Sequence, residues 1–336
     1  TPHIDSLSTN GIVFKSAYTA IAVCSPSRAS LFTGLYPHNH KLLMNVHIPT
    51  RTCNGLDPEI PNMASMQSQA GYHLECFGKW HIHNEKTPHD YGFDGYHPIL
   101  PNDPFGLDSD YIQEGIESLF SNSIGQKSFL SFRTEKELIY GTMKLPLEDA
   151  PSYRMAESAA QFFVDHFAGD SNPKPLFLNV DFLQPHFPMI PPEPFASMYD
   201  PEDVLPWPNF NDNYEDKPAG HKRKHDEWQL QNKEWDWWQK VVTMYYANIS
   251  YVDHCCGVLL DALDRSGQLE NTIVVFTADH GDTIGSHRLF EKGGTMSEEV
   301  YRVPLLMQIP GISQESKTEE RFISSVDLMP TLIELC

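Results

Sequence analysis

Short apolar, β-branched runs at residues 11–18, 73–77, 176–182, 272–277 and 305–309 are separated by stretches of helical period at 62–69, 153–167 and about 233–265. In the last stretch Val241, Val242, Tyr245, Tyr246, Ile249, Val252 and Leu259 recur at three-to-four spacing, and Gly267 supplies a stop. Strands that alternate with helices predict an α/β fold, with a mostly parallel central sheet and helices on both faces. In such sheets ligands gather at the carboxyl ends of the strands. Three of the runs are followed there by GKWHIH, LQPHFP and ADHGD, so Lys, His and Asp side chains are expected to converge.

The 336 residues read as one catalytic-size domain, 1–336, with a long Pro- and Trp-rich excursion at 183–238 that includes HKRKH. Surface cover or a recognition wall would both suit that excursion. Lys and Arg number 24 against 45 Asp and Glu, a net charge of −21, which repels nucleic acid and anionic membranes and requires a local basic cluster for any anionic substrate. No run of about 18 apolar residues and no leader is visible, so no membrane segment is expected and no compartment is assigned. Cys24, Cys53, Cys76, Cys255, Cys256 and Cys336 show no C-x-x-C spacing, which argues against a zinc ribbon or redox pair.

Cys24 opens the stretch CSPSRASLFTG. Pro26 suits a first helical turn and Ser25 or Ser27 could cap it, which places Cys24 immediately before a helix N-terminus. That position lowers a thiol pKa and attracts anions.

CSPSRASLFTG resembles the signature of the type I sulfatases, members of the alkaline phosphatase-like superfamily. GLYPHNH, GKWH, YGFD, PHFP, NTIVVFTADHGD, GSHRLFEKGG and RVPLLMQIPG follow in that family's order, over nearly the whole chain. The resemblance implies hydrolysis of a sulfate ester, with Cys24 converted by a maturation enzyme to 3-oxoalanine (formylglycine). The hydrated aldehyde offers one hydroxyl to attack sulfur and a second to let the sulfated intermediate collapse.

By the same resemblance, Arg28 lies beside the formylglycine, while Lys79 and Lys292 hold the sulfate. His81 takes a proton from the second hydroxyl, and His186 contacts sulfate and protonates the leaving oxygen. Residue 24, Asp279 and His280 belong to a site for Ca2+. Asp282 is either a turn cap or functional, His38 and His40 buttress the site, and His83 is read as structural.

The resemblance also implies a first strand ending in paired aspartates before residue 1 and a smaller C-terminal region after residue 336, so the fold is expected to be truncated at both ends. The expected substrate is a sulfated small molecule or oligosaccharide, with a preference for carbohydrate because Trp207, Trp228, Trp235, Trp237 and Trp238 could stack on sugars. The alternatives are a phosphonate or phosphodiester hydrolase of the same superfamily, and a non-catalytic glycan-binding derivative.

Overall fold

The computed structural model describes residues 1–48, 53–99, 127–128, 137–168, 172–313 and 315–336. Its strands are β1 (Ile12–Tyr18), β2 (His73–Gly78), β3 (Gly95–His97), β4 (Lys127–Ser128), β5 (Glu137–Leu138), β6 (Leu176–Asp181), β7 (Val274–Thr277), β8 (Leu305–Gln308) and β9 (Lys317–Ser324). The expected α/β architecture is present, but the sheet is mixed and divided. One sheet has the order β7-β8-β1-β9 and the other β3-β2-β6, while β4 and β5 pair only with each other.

The second sheet is wholly parallel, and β1 runs parallel to β9. By contrast, β8 is antiparallel to both β1 and β7. The departure from a mostly parallel sheet has a local cause. Parallel neighbours need a crossover, usually a helix of ten or more residues. Between β7 and β8 the chain forms only a 3-10 turn and the four-residue helix Glu298–Tyr301, so β8 returns alongside β7 in the opposite direction. The strand β9 carries a charged, mostly exposed pattern that the apolar-run criterion passes over.

Four helices position the site. They are α1 (Pro2–Ser6), α2 (Cys24–Thr33), α3 (Pro37–His40) and α4 (Met63–Gln69). Farther along, α5 (Pro151–Ala168) packs on α7 (Trp235–Arg265), with α6 (Ala219–Glu227) inside the excursion. The 31 residues of α7 bury Val241, Val242, Ala247, Tyr251, Cys255 and Ala262, the periodic stripe expected of a core-facing helix. Its buried Asp253 accepts the Ile4 and His3 amides at 2.8 and 3.3 Å, so α1 is pinned to α7 by its own unpaired N–H groups.

Leu74 to Phe77 in β2 are fully buried, whereas every residue of β6 and β7 is only partly buried. Among the described residues each of those two strands pairs on one side, and both line a cavity of about 1150 Å³ together with Phe163, Leu259 and Leu263. Among the described residues no helix is long and apolar enough to cross a membrane.

Candidate active site

Cys24 is the first residue of α2, following the extended Val23. No side chain of α2 caps its own start. Ser25 N instead donates to Asn45 Oδ1 at 2.9 Å, and Ser25 Oγ accepts the Val46 amide at 3.2 Å, so the segment after α3 supplies the cap that Ser25 and Ser27 were expected to give. Ser27 Oγ donates to the Asp279 carbonyl at 2.5 Å and lies 2.7 Å from Thr19 Oγ1. The end of β7 is thereby tied to the first turn of α2.

That tie brings Asp279 and His280 beside the thiol. Cys24 Sγ lies 3.1 Å from His280 Nε2, which is 3.7 Å from Asp279 Oδ2, and donor atoms of these three residues all lie within 4.8 Å of one another. His280 Nδ1 donates to the Gly281 carbonyl at 2.8 Å, which leaves Nε2 for residue 24. Burial pushes the Cys24 thiol up, but Lys292, Lys79 and His280 together pull it well below the usual thiol range. Burial lowers His280, yet Asp279 and Cys24 raise it to about 9. Burial, helped by Asp181, raises Cys76; burial, helped by Cys256, raises Cys255; and burial with Asp253 lifts Cys256 to about 12. The described cysteines are all free, and Cys24 is drawn down by Lys292, Lys79 and His280 together.

The second sheet delivers the remaining groups. Beyond β2, Lys79 and His81 follow Gly78, whose positive φ of 99° lets the chain pass within contact of the Asp181 carbonyl. Arg28 fixes this turn. Its guanidinium donates to the Lys79 and Trp80 carbonyls at 2.6 and 2.8 Å and holds Asp181 at 2.7 Å. His81 adopts φ 56°, an uncommon conformation for a non-glycine residue. Its Nε2 lies 2.9 Å from His47 Nδ1 with the rings stacked, while its buried Nδ1 has no hydrogen-bond partner. Burial, reinforced by Lys79, lowers His81 to about 3, so it is neutral at physiological pH.

His186, in the turn after β6, directs Nδ1–H to the Phe187 carbonyl at 2.6 Å, and its Nε2 accepts from Lys292 Nζ at 2.6 Å. Burial and Lys292 both lower its pKa. Lys292 also pairs with Glu291 at 2.7 Å, and although burial opposes its charge, Cys24 and Glu291 hold its pKa above the ordinary lysine value.

The structure thus brings Cys24, Lys79, His81, His186, Asp279, His280 and Lys292 into one electrostatic neighbourhood from strand ends in both sheets. The residues around it are scaffolding. His40 is buried between Ser30 Oγ, at 3.0 Å, and the Leu42 amide, at 3.2 Å. His83 Nδ1 accepts the Glu85 and Lys86 amides, and Asp282 accepts the Ile284 and Glu291 amides and closes the loop between them.

The tryptophans are engaged in packing to different degrees. Trp238 is fully buried, Trp237 nearly so, and Trp207, Trp228 and Trp235 pack against the same cluster. The indoles of Trp207 and Trp235 donate to the Ile284 and Val204 carbonyls. They join the excursion to α7 and to the loop after β7, so the carbohydrate expectation draws no support from them. His47, Asn45 and Lys224 were missed by sequence reasoning. Each lies outside the strand-end motifs, and in Lys224's case the signal was a basic run, HKRKH, whose inward-facing member only the fold reveals.

Comparison with known proteins accords with this geometry. The sequence model of the family described as Sulfatase matches residues 1–336. An arylsulfatase of Clostridium perfringens is 30% identical over 352 residues, covering 99% of this chain and 69% of its own length. A phosphonate monoester hydrolase of Agrobacterium radiobacter superposes with a TM-score of 0.74 at 23% identity, covering 99% of this chain and 68% of the other. A protein solved with its substrate D-glucosamine-2-N,6-O-disulfate gives a TM-score of 0.69 at 19% identity, covering 100% and 71%. At those identities the two structures establish the fold. The chain spans about two thirds of the length of each.

Proposed function

Because the chain belongs to the sulfatase family, we propose that it hydrolyses sulfate esters at residue 24, with Cys24 oxidised by a maturation enzyme to formylglycine. One observation carries the reading. The thiol has a single weak hydrogen-bonding hydrogen and already contacts His280, while the buried Nδ1 of His81 beside it is left without a partner. The two hydroxyls of an aldehyde hydrate would satisfy both histidines, and Sγ stands here for those oxygens. The hydrate supplies a nucleophile together with a second hydroxyl whose proton can be removed.

The surrounding residues suit that chemistry. Sulfuryl transfer, like phosphoryl transfer, develops charge on peripheral and leaving oxygens, so fixed positive charge supplies most of the acceleration. Lys79 and Lys292 provide it. His81, neutral over the working pH range, accepts the proton given up by residue 24. The acid is the Lys292–His186 pair. The lysine ammonium donates into His186 Nε2, and a proton passed from the pair to the departing alcohol oxygen completes S–O cleavage. With one water consumed, the ester gives alcohol and hydrogen sulfate. Arg28 acts through the Lys79 turn that it ties down.

Residue 24, Asp279 and His280 fit one face of a divalent cation's shell. Calcium takes six to eight oxygens, so Asp279 and the hydroxyls at residue 24 would hold it, with His280 at its margin and the other positions left to water, substrate or residues outside those described. When bound, the cation would stabilise negative charge on residue 24 and on the sulfate.

For the substrate, a sulfated small molecule or oligosaccharide is favoured over a long polyanion by the net charge of −21. The neighbour solved with a sulfated glucosamine supports a carbohydrate. A second reading, phosphonate or phosphodiester hydrolysis, is favoured by the phosphonate monoester hydrolase neighbour. The cluster of Lys79, His81, His186 and Lys292 weighs against a purely glycan-binding role. Peptide mass spectrometry of the residue 24 segment, from a host with the maturation machinery, tests the proposal alongside rates on an aryl sulfate and a matched phosphodiester. An unmodified thiol together with no sulfate release overturns it, and a faster phosphodiester rate moves it to the second reading.

A further inference from the structure

Lys292 stands on an unusual piece of backbone. Glu291, Gly293 and Gly294 have φ values of 68°, 80° and 69°, so the lysine is presented by a turn whose neighbours lie in the left-handed region, where a non-glycine residue such as Glu291 is strained. Such a turn needs external partners to keep one geometry, and α6 of the excursion supplies them. Gly220 and Lys224 are four residues apart and therefore share a helical face. Lys224 Nζ donates to the Lys292 carbonyl and, at 3.1 Å, to the Gly293 carbonyl. A Cβ on Gly220 would meet the next carbonyl, that of Gly294, at 2.9 Å. One face of α6 thus lies on three successive carbonyls.

The neighbouring cations of HKRKH behave differently. Lys222 and Arg223 are exposed and pair along the helix with Asp226 and Glu227. Lys224 is 6% exposed and, among the described residues, forms no ion pair within 4 Å. Burying an ammonium without an adjacent carboxylate is costly, and its position is explained when its hydrogen bonds hold something that matters. The longer-range charges around it are Glu291, Asp282 and Glu227, which favour the ammonium, and Lys292, which opposes it.

We propose that Lys224 is a positioning residue for Lys292, holding the carbonyls of the left-handed turn so that Lys292 Nζ stays against His186. The excursion then has a mechanical task that neither surface cover nor substrate recognition describes. The functional part of this inference rests on the reading of Lys292 as a sulfate-binding cation, whereas its structural part does not.

The test uses the full chain with Lys224→Met, which keeps the packing volume but removes the donors, Lys224→Arg, which keeps charge and donors, and Gly220→Ala. Amide hydrogen exchange across 291–295 should accelerate by about tenfold or more in Lys224→Met and in Gly220→Ala, while α2 stays unchanged. On the substrate turned over by the wild type, Lys224→Met should lower kcat by about 10- to 100-fold with KM altered less than about threefold, as misplacement of a reacting group does. Lys224→Arg should recover most of that loss, and in a Lys292→Ala background Lys224→Met should add less than about twofold. Unchanged exchange at 291–295 overturns the proposal. So does accelerated exchange with wild-type kcat, or a full multiplicative loss on top of Lys292→Ala. If the wild type turns over no sulfate or phosphate ester, the function proposed above fails, and the exchange arm alone decides whether Lys224 holds the turn.

Discussion

Cys24 Sγ and His280 Nε2 lie 3.1 Å apart, with the thiol drawn well below its usual pKa and the imidazole raised to about 9, so in the unmodified chain each favours the charged form of the other. The thiolate of Cys24 should therefore be populated at lower pH than that of an ordinary thiol. Alkylation by iodoacetamide, followed by peptide mapping at pH 6 and 8.5, should show Cys24 less pH-dependent than an ordinary thiol once its low accessibility is allowed for. A Cys24 rate that climbs tenfold per pH unit through this range would show an ordinary thiol. Lys292→Ala should move Cys24 toward that behaviour.

Lys79 and Lys292 supply the charge that the proposed reaction needs, and each replaced by alanine should lower kcat/KM by about 10²- to 10³-fold, the cost of removing one electrostatic donor from a catalytic site. Steady-state rates on an aryl sulfate measure it. The combined variant should lose less than the product of the two, because both act on the same group.

The Arg28–Asp181 bond, at 2.7 Å with side-chain exposures of 12% and 22%, is a largely buried pair, and Arg28→Met leaves the carboxylate without its counter-ion. We expect a loss of about 3 kcal/mol in urea unfolding. Arg28→Met combined with Asp181→Asn should recover part of it. Equal losses in the single and double variants would mean that the charge of Asp181 was not the problem.

Acid should weaken the fold before the carboxylates titrate. Burial lowers His40 to about 4. Its folded pKa is thus below the unfolded value of about 6.5, and the unfolded chain takes up the proton first as the pH falls. Stability is unaffected by this group above pH 6.5 and declines from there toward 4, by about 2 kcal/mol at pH 5 from His40 alone. His83, His225 and His254 shift in the same direction. Urea midpoints at pH 7.5 and 5.0 measure the decline, and His40→Gln should flatten it.

Removing the Asp279 carboxylate as Asp279→Asn should weaken calcium binding at least about tenfold in calorimetric titration, since no other carboxylate shares the cluster with Cys24 and His280 among the described residues. Lys292→Ala should leave that affinity unchanged or raise it slightly, because it removes a nearby positive charge.

The motifs at strand ends were legible in the sequence because chemistry there depends on local order. GKWH, PHFP and ADHGD each lie where a strand stops, and the fold brings Lys79, His81, His186 and Asp279 to one place. What escaped was set by contacts distant in sequence. Asn45 caps α2 across 20 residues, Lys224 reaches Lys292 across 68, and the direction of β8 depended on how short a helix precedes it. Composition alone left two readings open. The excursion's tryptophans could be read as stacking faces or as packing, and the fold buries Trp237 and Trp238 while Trp207, Trp228 and Trp235, partly exposed, pack against the same cluster.

Residue 24 and Asp279 descend from one sheet, and Lys79, His81 and His186 from the other. No single half of the molecule owns a working centre. Any parting of the halves by a fraction of an ångström dilutes the field on residue 24 before a helix melts, so turnover is a finer gauge of their alignment than any spectroscopic record of secondary structure.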